Sequence, residues 1–108
     1  MKYLPFFMEL SKQSVLIVGG GEVAERKLDL LIKANANVTL VSPEFTENIN
    51  NISKQKNFKC ITDEYSDKYL DNNNYTFVIV ATNNEKLNEK IANDAKQKNI
   101  LVNVVDKP

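Results

Sequence analysis

The chain has 108 residues, the size of one domain with a single hydrophobic core. Its 14 Lys and Arg balance 14 Asp and Glu, and this lack of basic excess argues against nucleic acid or a membrane surface as a partner. The absence of His and the single Cys60 exclude His-based acid–base catalysis, an internal disulfide and most zinc sites, so no metal site is expected.

The first nine residues contain a short apolar patch that Pro5 interrupts and Glu9 closes. A secretory signal needs a longer apolar core and a cleavage site of small residues, and a membrane span needs ~18 apolar residues. The sequence contains neither pattern. We therefore expect a cytoplasmic protein without a membrane partner.

The first strand and the first helix are predicted on either side of a glycine cluster. The continuous apolar run 15–18 is typical of a strand buried on both faces, as in parallel sheets. Between Glu22 and Ala34 the apolar residues recur at helical spacing, which predicts an amphipathic helix. Asn35 follows, and Asn tolerates the left-handed conformation that is common after helices.

Four further strands are predicted from short apolar runs at 38–41, 58–61, 75–81 and 100–105. A short helical turn and a loop are predicted within 65–74. Strands that alternate with helices form βαβ units and a parallel sheet. The predicted fold class is therefore α/β, a Rossmann-like doubly wound parallel sheet in a single domain.

Two more helices are predicted between these strands. A weak helix is expected over 44–54, opened by Ser42 or Pro43, since Pro is acceptable in a first helical turn. The spacing of the apolar residues predicts a stronger helix over 85–98, with Asn84 as its cap.

All the glycines of the chain, Gly19, Gly20 and Gly21, lie between the first strand and the first helix. With Ala24 they form the pattern G-x-G-x-x-A, which places the pyrophosphate of a dinucleotide at a helix N-terminus. Gly19 allows the tight turn, Gly21 lets the phosphate approach the backbone, and Ala24 permits close packing of helix on strand. Such turns also occur in domains that bind nothing, but this position favours dinucleotide binding.

The acidic residue that usually follows ~20 residues later, at the end of the second strand, is missing. Ser42 and Pro43 occupy that place, followed by Glu44. Ser42 can hydrogen-bond a ribose hydroxyl, and Glu44 either reaches the ribose or belongs to the first turn of the next helix. NAD and NADP stay open, although the scarcity of positive charge near Ser42 favours NAD.

Two other strand ends are candidate site positions, because ligands of open α/β sheets bind beyond the carboxyl ends of the strands. The fourth predicted strand leads into Thr82 and Asn83, and the fifth leads into Asp106. Thr82 and Asn83 either contact the cofactor or cap the following helix. Asp106, on the residues alone, is either a site residue or a solvated loop acid.

Four stretches of the sequence form a combined signature. They are Leu4-Pro5-Phe6-Phe7, the run 18–27 around the glycines, Ala81-Thr82-Asn83-Asn84, and Val102-Asn103-Val104-Val105-Asp106. The combination resembles the N-terminal module of siroheme synthase, the precorrin-2 dehydrogenase/sirohydrochlorin ferrochelatase family, over residues 3–108. The resemblance implies an oxidoreductase that uses NAD to convert the tetrapyrrole precorrin-2 into sirohydrochlorin. Some members also insert Fe²⁺, a lyase activity.

The resemblance also implies roles for individual residues. An aspartate at the end of the Asn-Val-Val-Asp strand is held to be essential in the family, and here it is Asp106, which would remove a proton or guide the metal beside the nicotinamide. The dinucleotide contacts carry over to Glu22 and Val23 after the glycines. They also carry over to Pro43 and Glu44 after the second strand.

The length of the chain departs from the family pattern. Family members continue into a dimerisation segment and a helical domain, which complete the tetrapyrrole site. The resemblance therefore implies that residues 1–108 are the dinucleotide-binding domain of a longer protein that forms a homodimer.

Two alternatives to an enzyme stay open. An NAD(H)-sensing regulatory module would have the same glycine loop, and a structural remnant would bind no nucleotide. The stretch 4–7 and Asp106 favour the enzyme, because a sensor has no evident need for them.

Overall fold

The computed structural model describes residues 10–54, 56, 58–71 and 75–105. In this part of the chain the strands are β1 (Ser14–Val18), β2 (Asn37–Ser42), β3 (Lys59–Thr62), β4 (Phe77–Val80) and β5 (Leu101–Val104). The helices are α1 (Glu22–Lys33), α2 (Glu47–Ser53) and α3 (Glu85–Gln97), with a short 3₁₀ helix at Asp67–Leu70. None of these helices has the length and the apolar character needed to cross a membrane.

The strands form one parallel sheet in the order β3-β2-β1-β4-β5, which confirms the predicted fold class. Val18 pairs with Val41 of β2 and with Val80 of β4, so the carboxyl ends of the three central strands lie at one level. The strand order reverses between β1 and β4, and ligands of such sheets bind in the crevice at this reversal.

Both faces of the sheet are buried, as the continuous apolar runs predict. Val15 and Ile17 of β1 pack with the apolar face of α1, including Leu28. Leu16 and Val18 point to the opposite face and join a second cluster that contains α3. Each face therefore has its own apolar layer, and β1 lies at the centre of both.

The predicted start of the second helix is wrong. Instead of beginning at Glu44 after Ser42 or Pro43, α2 begins at Glu47, and Thr46 caps it by accepting a hydrogen bond from the Ile49 N–H at 3.1 Å. The intervening chain is held against the glycine loop, because the Thr46 N–H donates to the Gly20 carbonyl at 2.9 Å. This tertiary contact, together with the better cap, delays the helix by three residues.

Two other local predictions are confirmed. Asn35 has a positive φ of 62° after α1, and the Asn84 side chain caps α3 by accepting from the Leu87 N–H at 3.0 Å. Both residues provide the conformation or the acceptor that a helix end needs.

Candidate functional site

Gly19 occupies a position that no other residue can fill. Its φ is +133°, and an added Cβ would lie 2.3 Å from the carbonyl oxygen of Ala81. Its N–H donates to the Val41 carbonyl at 3.0 Å. The tight turn predicted at Gly19 is therefore present, and it is packed between the ends of β2 and β4.

Gly20 has a packing role that the sequence pattern does not reveal. An added Cβ would lie 2.1 Å from the Glu44 carbonyl oxygen and 2.9 Å from the Phe45 ring. The segment after β2 therefore rests directly on the backbone of Gly20. Its partner, Glu44, is far away in the sequence, so no local signal indicates this contact.

Gly21 is the open member of the cluster. No heavy atom lies within 4 Å of the position that a Cβ would take, and Gly21 is the N-cap of α1 without a side chain to bond the first turn. The N–H groups at the start of α1 and the positive end of its dipole thus face free space. This space fits an anion such as the pyrophosphate of a dinucleotide.

The first cleft of the site lies above the glycine loop and has a volume of about 590 Å³. We call it the glycine cleft; its lining consists of Gly19, Gly20, Gly21, Glu22, Val23, Arg26, Ala81, Thr82 and Asn83. Arg26 was not among the predicted site residues. It lies four residues after Glu22 on the same face of α1, a spacing that could have identified it as a cation beside the phosphate position.

The second cleft lies beside the end of β2 and has a volume of about 400 Å³. We call it the Ser42 cleft; its lining consists of Val18, Gly19, Val41, Ser42, Pro43, Glu64, Tyr65, Thr82, Asn84 and Leu87. The sequence predicts Ser42, Pro43 and Thr82 as site residues, but not Glu64, Tyr65 or Leu87, which also line this cleft. Glu64 and Tyr65 follow β3, the neighbour of β2 in the sheet, and this adjacency of the strands brings them to the cleft without a local sequence signal.

Glu44 behaves differently from its neighbours. It is exposed, it precedes α2, and in the described part of the chain it lines neither the glycine cleft nor the Ser42 cleft. Its assignment to the first turn of the helix is wrong, since α2 begins at Glu47. A contact between the Glu44 side chain and the ribose stays a prediction.

Thr82 borders both clefts and also braces α3. Its hydroxyl donates to the Asn88 side-chain oxygen and accepts from the Asn84 N–H at 3.1 Å. Asn88 in turn donates to the Thr82 carbonyl at 3.1 Å. Asn83, by contrast, is exposed at the edge of the glycine cleft. Thr82 therefore has a structural role, while the cap of α3 is Asn84.

Asp106 and the stretch 4–7 lie outside the described residues. The last described residue is Val105, whose N–H donates to the Val80 carbonyl at 2.9 Å. A third groove, of about 700 Å³, lies at this end of β5, with Val104, Val105, Asn83 and Glu85 among its lining residues.

The wall of the Ser42 cleft includes a Tyr65 ring in a defined position. The Tyr65 hydroxyl donates to Asp94 at 2.8 Å, and Lys90 donates to the same carboxylate at 2.9 Å. Burial, and next the hydrogen bond to Asp94, raise the pKa of Tyr65 far above its ordinary value. Tyr65 is therefore neutral throughout the physiological pH range.

Comparison with known proteins places this site in a family. The family described as "Putative NAD(P)-binding" matches residues 6–108. The chain belongs to this family. The open Gly21, the helix N-terminus without a side-chain cap and the two clefts at the strand ends are consistent with the description of this family.

Two of the curated relatives that match this chain, both siroheme synthases, come from different organisms. That of Psychrobacter sp. (strain PRwf-1) is 44% identical over 108 residues, which are 100% of this chain and 22% of the relative. That of Pseudoalteromonas translucida (strain TAC 125) is 41% identical over 106 residues, 98% of this chain and 22% of the relative. The chain thus spans less than a quarter of the length of these relatives.

A solved structure extends the similarity. The precorrin-2 dehydrogenase SirC superposes with a TM-score of 0.81 at 26% identity, over 98% of this chain and 51% of that chain. Most of the predicted cofactor residues line the two clefts of this NAD(P)-binding domain. They are Gly19, Gly21, Glu22, Val23, Ser42, Pro43, Thr82 and Asn83.

Proposed function

We propose that the protein oxidises precorrin-2 to sirohydrochlorin with NAD⁺, a step of siroheme synthesis. The observation that carries this proposal is the similarity to the precorrin-2 dehydrogenase SirC over 98% of the chain. The two siroheme synthases, which match 100% and 98% of the chain, support the same function. The open Gly21 supports it further, since dinucleotide binding requires space at this position.

We also propose that the cofactor is NAD rather than NADP. An enzyme that binds the 2′-phosphate of NADP usually places an Arg near the end of the second strand. Among the described residues that line the Ser42 cleft there is no Lys and no Arg. The charge of this cleft therefore favours a free ribose hydroxyl.

This proposal assigns cofactor binding and proton transfer to different residues of the chain. The N–H groups of the first turn of α1 would hold the pyrophosphate, and Arg26 would add positive charge at the glycine cleft. When bound, the nicotinamide supplies the acceptor for the hydride that leaves precorrin-2. The Asp106 carboxylate accepts a proton released from the substrate, a task that a carboxylate can perform in a chain without His.

The proposal also covers the substrates, the oligomeric state and the cellular location of the full-length protein. The substrate is a tetrapyrrole, and Fe²⁺ would be a second substrate if the protein also acts as a ferrochelatase. The full-length protein would be a cytoplasmic homodimer.

The test is the formation of NADH from NAD⁺ and precorrin-2 by the full-length protein. We expect Asp106→Asn to lower the rate by about 10²- to 10⁴-fold, the range for loss of a proton-transfer group, with an unchanged dissociation constant for NAD⁺. Asp29→Asn is the matched control, because Asp29 lies on α1 in an exposed ion pair with Lys33. It should react at the normal rate.

Three results would count against the proposal. Normal turnover of Asp106→Asn would remove the role of this carboxylate. Saturable NAD⁺ binding without NADH formation in the presence of precorrin-2 would favour the NAD(H)-sensing module. A chain that binds no nucleotide would favour the structural remnant.

A further inference from the structure

The end of β3 lies beside the position where a dinucleotide-binding strand usually carries its acid. Thr62 of β3 pairs with Ser42 of β2, and the N–H of the next residue, Asp63, donates to the Ser42 carbonyl at 3.0 Å. The chain after β3 is therefore tied to the end of β2. Glu64 follows directly, and it lines the Ser42 cleft together with Ser42 and Pro43.

The carboxylates of Asp63 and Glu64, the two acids after β3, differ in their contacts. The Asp63 carboxylate accepts hydrogen bonds from the Tyr69 hydroxyl and from the Glu64 N–H, the latter at 2.8 Å, and Lys68 lies 3.7 Å away. These contacts give Asp63 a structural role in the segment that follows β3. Within the described residues, the Glu64 carboxylate has no hydrogen bond or ion pair, and the residue is exposed.

The remaining wall of the cleft suits an adenosine. Leu87 and Tyr65 are half-buried and line the cleft, and the Tyr65 ring is held by its hydrogen bond to Asp94. A flat base can pack on such apolar surface, which leaves its ribose at the polar rim of the cleft. Glu64 and Ser42 supply the polar groups of that rim.

We propose that Glu64 replaces the acid missing from β2: its carboxylate accepts hydrogen bonds from the ribose hydroxyls of the adenosine and repels a 2′-phosphate. This inference rests on the proposed binding of a nicotinamide dinucleotide at the glycine loop. It adds the residue that decides between NAD and NADP. The chemistry is that of the usual β2 acid, delivered from the adjacent strand.

The experiment compares two probes that occupy only the adenosine half of the site, 5′-AMP and adenosine 2′,5′-bisphosphate. Calorimetry on the native protein should give tighter binding of 5′-AMP. In Glu64→Gln, we expect 5′-AMP to bind about tenfold more weakly, because a hydrogen bond to a charged acceptor is lost. The bisphosphate should bind several-fold more tightly, since a like charge is removed.

Two further variants sharpen the test. Glu64→Arg should reverse the preference between the two probes, because a cation then faces the 2′-phosphate. Glu47→Gln is the matched control: it removes one exposed carboxylate from the first turn of α2, and it should leave the ratio of the two dissociation constants unchanged.

The outcomes separate this inference from the function on which it rests. If the native protein binds NAD⁺ and prefers 5′-AMP, and Glu64→Gln keeps that preference, the role of Glu64 is wrong while the proposed cofactor stands. An equal shift in Glu47→Gln would also overturn it, because the effect would then be general electrostatics. If the native protein binds neither NAD⁺ nor 5′-AMP, the proposed function fails and the role of Glu64 fails with it.

Discussion

The three consecutive glycines at the first turn differ in why each position lacks a side chain. Gly19 needs a positive φ, Gly20 needs to be free of a side chain because the segment after β2 rests on it, and Gly21 borders open space. Only Gly21 has no structural reason to lack a side chain within the described chain. The absence of a Cβ there is consistent with a ligand that approaches the backbone.

This contrast leads to a prediction for two alanine variants. Gly21 has a φ of −93°, which any residue adopts, so Gly21→Ala should lower the free energy of unfolding by no more than about 1 kcal/mol, the effect of Ala at a helix N-cap. It should weaken NAD⁺ binding by at least about tenfold, because the methyl group occupies the phosphate position. Gly20→Ala should instead destabilise the fold by about 1–3 kcal/mol, because its Cβ collides with the Glu44 carbonyl.

Urea unfolding and calorimetric titration with NAD⁺ measure the two effects separately. The assignment of Gly21 to the phosphate site is contradicted if Gly21→Ala binds NAD⁺ with native affinity.

The site residues that could be predicted are those that belong to a local pattern. The glycines and Ser42 follow from a strand–turn–helix motif and its spacing. Glu64 and Tyr65 could not be found in this way, because their place in the site depends on β3 lying next to β2. The position of Asp106 after a predicted strand makes it a candidate, while its role comes only from the family resemblance and stays a prediction.

At the scale of elements, the predicted boundaries hold where the local signals agree. Asn84 both precedes an amphipathic stretch and caps it, and the helix begins there as predicted. At α2 the signals conflict, since Pro43 and Thr46 are both acceptable near a helix start. The contact of the Thr46 N–H with Gly20 decides between them, and a contact between distant residues is invisible in local spacing.

Thr46 links two helices, which leads to a prediction about stability. Its hydroxyl accepts from the Ile49 N–H at 3.1 Å and donates to Glu25 of α1 at 2.5 Å. Thr46→Val keeps the shape but loses both bonds, so it should lower the free energy of unfolding by about 1–2 kcal/mol. Thr46→Ser keeps the hydroxyl and serves as the control. Equal urea midpoints for the native protein and Thr46→Val would show that the cap contributes nothing.

At the scale of the whole molecule, the alternation of strands and helices was enough to predict a parallel sheet. The two edge strands of the described sheet differ in their apolar residues: Leu101 and Val104 of β5 are exposed, whereas Cys60 and Ile61 of β3 are half-buried. The sequence gives no local signal for the strand order, which follows from where each connection packs. The balanced charge and the absence of His are properties of the whole chain that concern its stability rather than its strand order.

The chain should be insensitive to pH near neutrality, because no His is present to titrate between about pH 5 and 8. Its acid limit is set partly by Asp94. Burial raises the pKa of this carboxyl, but the hydrogen bonds from Lys90 and Tyr65 outweigh that effect and hold the pKa below its ordinary value. The unfolded chain therefore binds more protons in acid, so the stabilisation is present above about pH 4 and is lost as the pH falls further.

We expect the urea midpoint to be level between about pH 6 and 8 and to fall below about pH 4. Asp94→Asn should make the acid fall less steep, because the group responsible can no longer be protonated. The hydrogen bonds from the Tyr65 hydroxyl and Lys90 end on this side chain, so the variant should also be less stable at neutral pH. Asp29→Asn, which removes a carboxylate from an exposed ion pair, should keep the native pH profile. An acid limb of unchanged steepness in Asp94→Asn would assign the acid sensitivity to other carboxylates.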